Sequence, residues 1–145
     1  MSIAERSTST GWDGPLASGT GRLTSGSGAL TGLDVTWAAR TEAPGGKTSP
    51  EELAAAAHSS CFSMALALKL GEHQLTPQHL DVQATVTLDE VDGLPTITSS
   101  ALTVKGQVSG TDAATFQKIV DEAAALCPVS RLFAGATISV TAELR

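Results

Sequence analysis

The sequence predicts an α+β fold. A long capped helix fills the middle of the chain at Pro50 to Leu70, and period-two strands run through Leu80–Leu88, Ile97–Val108 and Ile138–Leu144. A second amphipathic helix lies between the last two of these strands. Strands gathered on either side of two helices, without regular βαβ alternation, are the pattern of an α+β protein. At 145 residues the chain reads as a single domain, 1–145, large enough to bury a core.

Taken in order, the first 30 or so residues are rich in Gly, Ser and Thr. Alternating runs such as Gly21-Arg22-Leu23-Thr24 read equally as edge strands between turns or as a flexible arm. Leu33 to Trp37 (LDVTW) alternates cleanly and predicts a strand. Arg40 follows, and Ala43 to Lys47 forms a Pro/Gly loop into the central helix.

That helix carries its own punctuation. Ser49 suits the N-cap and Pro50 the first helical position, where a missing N–H costs nothing. Glu52 completes a capping box with Ser49, and Gly71 is placed to close the far end. No charged residue occurs between Leu53 and Leu68, and apolar residues fall on every face, so no solvent stripe can be drawn. Such a helix is buried in a core or crosses a membrane. A span takes about 20 strongly apolar residues. Here much of the run is Ala and Ser, ended by Lys69 and Glu72, which predicts a core helix. Its Ala-rich first half is narrow enough for a second helix to approach closely.

Beyond Gly71, Leu80, Val82, Ala84, Val86 and Leu88 alternate with polar residues, and Asp92-Gly93 signals a hairpin turn. On the partner strand Leu102, Val104 and Val108 share a phase that Ile97 breaks, which predicts a bulge near Ser99 or Ser100. One apolar and one polar face per strand suits antiparallel sheet covered on one side. Thr111 or Asp112 can cap a second helix whose Phe116, Ile119, Val120, Ala123 and Cys127 share a face. Pro128 ends it at Cys127. Ile138, Val140, Ala142 and Leu144 mark the last strand.

Composition narrows the function. A net charge of −6 and a pI near 4.9 argue against a nucleic-acid surface, and three Phe, two Trp and no Tyr leave little for base stacking. The segment MSIAERSTST lacks the apolar core of a signal peptide, so a cytoplasmic location is expected. Two cysteines do not make a disulfide framework. They are thiols with a task, or core filler. Cys61 lies mid-helix in an apolar run, where free cysteine is often inert. Cys127 stands at a helix C-terminus, where the dipole disfavours thiolate, which makes it the poorer nucleophile but a candidate resolving thiol. Both sit on core-facing surfaces and so could meet. His58 and Cys61 share a helical face, yet two cysteines and one histidine without a CxxC pair are a thin metal-ligand set. His58 reads as a satisfied buried histidine, and His73 and His79 as solvated.

Two segments together carry a family likeness. Thr48-Ser49-Pro50-Glu51-Glu52-Leu53 with Ala55-Ala56-Ala57-His58-Ser59-Ser60-Cys61-Phe62-Ser63-Met64-Ala65-Leu66, and then Cys127-Pro128-Val129-Ser130, resemble the osmotically inducible protein C (OsmC) and organic hydroperoxide resistance (Ohr) peroxidases. The resemblance covers nearly the whole chain. With His58 in one motif and Cys-Pro-Val-Ser as the other, the chain resembles the OsmC branch more than the Ohr branch. The resemblance implies antiparallel sheets wrapped around two central helices in an intertwined homodimer. It also implies a thiol peroxidase, with Cys61 as peroxidatic cysteine, Cys127 as resolving cysteine, and Glu51 and Arg40 completing the site. The loop after Arg40 is one residue longer than is usual in the family, and Arg22 and Arg131 fit the arginine's place less well.

The chemistry expected of such a site uses no metal and no organic cofactor. Only thiolate attacks peroxide, and a guanidinium beside Cys61 would favour it by opposite charge. Glu51 would orient that guanidinium through a two-pronged ion pair. Cys61 would become a sulfenic acid and condense with Cys127. The resemblance implies dihydrolipoyl groups on partner proteins as the dithiol reductant. Apolar surroundings with Phe62 and Met64 suit an organic hydroperoxide better than hydrogen peroxide. Two rivals remain: a redox sensor or thiol-disulfide relay using the same pair, and a binding module with inert cysteines.

Overall fold

The computed structural model describes every residue from Met1 to Arg145, and the chain divides into two compact units, Met1–Leu53 and Ala54–Arg145. Ten elements follow one another: β1 (Thr8–Asp13), β2 (Thr20–Ser25), β3 (Asp34–Val35), α1 (Trp37–Thr41), α2 (Pro50–Glu72), β4 (Pro77–Val91), β5 (Leu94–Val108), α3 (Ala113–Leu126), α4 (Pro128–Leu132) and β6 (Thr137–Leu144). The α+β class stands, with helix and strand largely segregated.

In the first unit β1, β2 and β3 form an antiparallel sheet in that order. The Gly/Ser/Thr-rich segment is therefore strand rather than arm. Trp12 explains part of its glycine content. A Cβ on Gly19 would come 2.9 Å from the Trp12 ring, and one on Gly21 would come 3.0 Å from it. The expected strand Leu33–Trp37 is cut to two residues. Thr36 turns its hydroxyl to the Ala39 N–H (3.1 Å) and caps α1, so Trp37 opens a helix instead of ending a strand.

The start of α2 follows half of the capping box. Ser49 Oγ accepts from the Glu52 N–H at 3.1 Å. Glu52 does not reach back to Ser49; its carboxylate accepts from the Thr48 hydroxyl at 2.6 Å. The far end departs from the sequence expectation. Gly71 stays helical, and Gln74 takes the left-handed turn at φ 60°. Leu75 N–H bonds Leu70 O (2.9 Å) and Gln74 N–H bonds Gly71 O (3.0 Å), the paired bonds of a Schellman stop.

The second unit is built on a sheet ordered β4-β5-β6. Asp92 and Gly93 both have positive φ (52° and 78°), as a two-residue hairpin turn requires, and join β4 to β5. Register slips between Thr87 and Leu88, which leaves Thr98 as the extra residue. The bulge falls next to the expected Ser99, and it returns Ile97 to the face of its partner Leu88. An all-antiparallel sheet is not what forms here. β6 pairs with β5 in parallel, because α3 and α4 intervene and carry the chain back to the starting end.

The core of this unit is one cluster: Phe62, Leu66 and Leu70 of α2, Leu102, Val104 and Val108 of β5, and Phe116, Ile119 and Val120 of α3. Gly106 lets α3 sit down on the sheet, since a Cβ there would lie 2.6 Å from the Phe116 ring. Asp112 caps α3 by accepting from the Thr115 N–H at 2.7 Å. By length and composition alone α2 could cross a membrane. Its inner face, however, is packed in this core, with Phe62, Leu66 and Leu70 fully buried. The outer face differs from expectation: Met64 is 74% and Leu68 53% exposed.

Candidate active site

Cys61 sits on α2 one turn beyond His58, packed against the core cluster but partly exposed, whereas Cys127 is wholly buried. Pro128 determines how they meet. It leaves Cys127 in extended geometry (ψ 117°), so α3 stops at Leu126 and α4 restarts at Pro128. Cys127 is therefore both the last cap of α3, its N–H bonding Ala123 O at 2.9 Å, and the first cap of α4. The helix C-terminus inferred from sequence is accompanied by a new helix N-terminus. This corner sets Cys127 and the Val129 backbone N–H beside Cys61, which packs against the cluster containing Cys127, near enough for both to act on its thiol. Burial pushes the Cys61 thiol above its ordinary pKa. Val129 N–H pulls it down, and the neighbouring Cys127 sulfur pushes it further up.

His58 is fully buried and satisfied at both nitrogens. Nδ1 lies 2.6 Å from Ser100 Oγ on β5 and Nε2 lies 2.7 Å from Ser130 Oγ on α4. Phe133 meets its ring edge-on at 5.4 Å. Burial holds its pKa below the ordinary imidazole value, so it is neutral at pH 7. With both nitrogens engaged by serines, it is neither a free base nor a free ligand. His73 instead pairs with Glu122 at 2.9 Å, so it is not merely solvated.

In the first unit, the cap at Thr36 and the short α1 turn Arg40 onto Glu51. Arg40 Nε lies 3.0 and 3.1 Å from the two carboxylate oxygens, and Nη2 lies 2.7 Å from Oε1. This two-pronged pair fixes the plane of the guanidinium. Glu51 is 9% exposed and stands in the first turn of α2, where the helix dipole favours a carboxylate. The Trp37 ring lies 6.0 Å from the guanidinium carbon, and a cleft of about 90 Å3 opens beside it between Trp12, Leu16, Val35 and Pro50. Neither alternative arginine is so placed: Arg22 is held by Asp34 at 3.1 Å, and Arg131 is exposed on α4.

The four predicted site residues thus fall into two pairs, each within its own unit: Cys61 with Cys127, and Arg40 with Glu51. Sequence reasoning missed the Val129 N–H and the two serines that hold His58. Ser130 lay inside the Cys127-Pro128-Val129-Ser130 motif, but nothing in that string says which side chain it will meet. Ser100 had no signal beyond being polar in the apolar phase of β5.

A facing pair of thiols on an α+β scaffold of this topology defines a class of cysteine proteins. Residues 43–143 match the family model for OsmC-like protein, and the chain belongs to that family. Its similarity to the peroxiredoxin OsmC of Escherichia coli (strain K12) is 45% identity over 121 residues, 83% of this chain and 84% of that protein. The organic hydroperoxide resistance protein OhrB of Bacillus subtilis superposes with a TM-score of 0.72 at 27% identity, covering 99% of this chain and 100% of that one. An organic hydroperoxide resistance protein from Elizabethkingia anophelis gives a TM-score of 0.78 over 99% of both chains; at 21% identity it speaks to the fold alone.

Proposed function

We propose that the protein is a cysteine-based peroxidase that reduces organic hydroperoxides in oxidative or osmotic stress defence. The observation that carries the reading is the placement of two free thiols, Cys61 and Cys127, side by side in the core of one chain, in a family whose relatives include a peroxiredoxin. Cys61 thiolate attacks the hydroperoxide oxygen that bears the proton, the O–O bond breaks, and the alkoxide leaves and takes up a proton as alcohol. The Cys61 sulfenic acid then condenses with the Cys127 thiol, releasing water and forming the disulfide. An external dithiol, of the dihydrolipoyl type, returns both sulfurs to thiols and leaves as its own cyclic disulfide.

Thiolate formation needs a cation, because burial opposes it at Cys61. The Arg40–Glu51 pair is suited to that role: it is oriented, carries donors for the peroxide oxygens, and borders an apolar cleft fit for an alkyl group. Glu51 and Cys61 stand ten positions apart on α2, which runs unbroken from Pro50 to Glu72. Their backbones are therefore about 15 Å apart along its axis. A glutamate cannot span that gap. Of the two routes left, a long arginine reach within one chain or service to a second chain, we take the second. The pair then serves the thiol of a second chain in an intertwined homodimer whose two units per chain act as one OsmC-like domain. The reducing cytoplasm is the compartment that keeps both thiols ready.

Turnover of cumene hydroperoxide with dihydrolipoamide tests this. Cys61→Ser abolishes turnover with the fold intact. Cys127→Ser consumes one equivalent and accumulates Cys61 sulfenic or sulfinic acid. Wild-type protein that forms the intrachain disulfide once but does not recycle with the dithiol is a redox sensor or relay instead. Peroxidase activity persisting in Cys61→Ser removes the mechanism.

A further inference from the structure

We propose that His58 is a positioning residue for the thiol pair: bonded to Ser130, it clamps the α4 corner so that Cys127 and the Val129 N–H stay on Cys61. The geometry that carries this lies within the second unit. Cys127, Val129 and Ser130 occupy four consecutive positions with Pro128, and α4 is only five residues long. A helix that short has little stability of its own. The Pro128 ring supplies no N–H, and the Cys127 side chain makes no capping bond to α4. The Ser130 hydroxyl is the side-chain tether of this corner, and it bonds His58 Nε2 at 2.7 Å. His58 belongs to α2, three positions before Cys61, so the tether ends on the helix that holds the partner thiol. On the opposite ring edge Ser100 Oγ, 2.6 Å from Nδ1 and 1% exposed, fixes the imidazole from the sheet. The two bonds set the ring plane. The clamp therefore keeps the two thiols side by side before any bond forms between them, and raises their effective concentration for each other.

The inference rests on the Cys61–Cys127 pair of the function proposed above, but its test needs no peroxide. Full-length protein is equilibrated with mixtures of reduced and oxidised dithiothreitol, and the intrachain disulfide is quantified by mass spectrometry after acid quench. In this reaction the two protein thiols lose two electrons and two protons to oxidised dithiothreitol, which leaves as the dithiol. Ser130→Ala lowers the equilibrium constant for the Cys61–Cys127 disulfide by about two- to tenfold, the worth of one hydrogen bond. His58→Gln, whose amide can reach one serine but not both, lowers it as well. Asp112→Ala is the control for general loosening: it removes the cap of α3 and lowers the melting temperature, yet leaves the disulfide equilibrium at its wild-type value. A Ser130→Ala protein that melts cooperatively with the wild-type equilibrium constant, or an Asp112→Ala protein that loses as much, overturns the clamp. Failure of peroxide to oxidise a pair that dithiothreitol titrates normally would count against the peroxidase reading alone.

Discussion

At the scale of single residues, chemistry here is set by what surrounds each titratable group. His58 is buried as a neutral imidazole, with its pKa held down by loss of water rather than by a charged neighbour. In the unfolded chain the same ring titrates near its ordinary value of about 6.5. Above that pH neither state binds the proton, so His58 adds no pH dependence. Below it the unfolded state gains a proton that the folded state refuses, and stability falls, by at most about 1.4 kcal/mol per pH unit for this one group. Urea melts between about pH 7 and 5 are expected to show that loss in the wild type and a shallower one in His58→Gln. Equal slopes in the two proteins would mean that the imidazole is protonated in the fold. Arg40 and Glu51 show the opposite arrangement, with two charges taken partly out of water only because each satisfies the other at 2.7 to 3.1 Å.

At the scale of elements, close approach decides which small residues are needed. Phe116 is fully buried, worth about 1.5–3 kcal/mol for such a side chain, and it reaches that state because Gly106 has no Cβ. Gly106→Ala is expected to cost about 1–3 kcal/mol through overpacking. Denaturant melts check it; a neutral result would show that α3 can lift from the sheet freely. The Schellman stop of α2 gives a change in the other direction. Gln74 holds φ 60° with a Cβ in place, so Gln74→Gly is expected to stabilise the protein by roughly 0.5–1 kcal/mol. A lower melting temperature in that variant would mean that the glutamine side chain compensates for its backbone. The capping signal at Ser49 was legible because an N-cap is a local bond between neighbours. The stop was not, since Gly71 and Gln74 can both supply the turn and only the anchoring of Leu75 in the core selects between them.

At the scale of the whole molecule, the unusual surface is the outer side of α2. Ala57, Ser60, Met64, Leu68 and Gly71 face outward in one chain, and none carries a charge. The strip is small at one end and apolar at the other, a surface suited to the close approach of a second helix. In the proposed dimer a second α2 covers it, running antiparallel, and brings the partner's Arg40–Glu51 pair toward Cys61. Mixing Glu51→Ala with Cys61→Ser under conditions that exchange subunits is expected to restore activity from two inactive proteins. Statistical exchange leaves roughly a quarter of the wild-type number of intact pockets in a twofold dimer. Silence after demonstrated exchange would place each site within one chain.

The sequence by itself determined the α+β class, the central and second helices, the hairpin at Asp92-Gly93, the bulge beside Ser99 and the core phase of β5. All of these rest on periodicity or on bonds between near neighbours. The resemblance of the chain's motifs to the OsmC and Ohr proteins, rather than any period or spacing, is what named Cys61, Cys127, Arg40 and Glu51 as site candidates. Tertiary structure alone decided the rest. The parallel pairing of β6 follows from where α3 and α4 deliver the chain, and the placement of Cys127 beside Cys61 from how Pro128 turns the corner. The bonds of His58 to Ser100 and Ser130 join residues 42 and 72 positions away. Contacts at that separation leave no period or spacing in a sequence, because they depend on the packing of whole elements rather than on the geometry of any one.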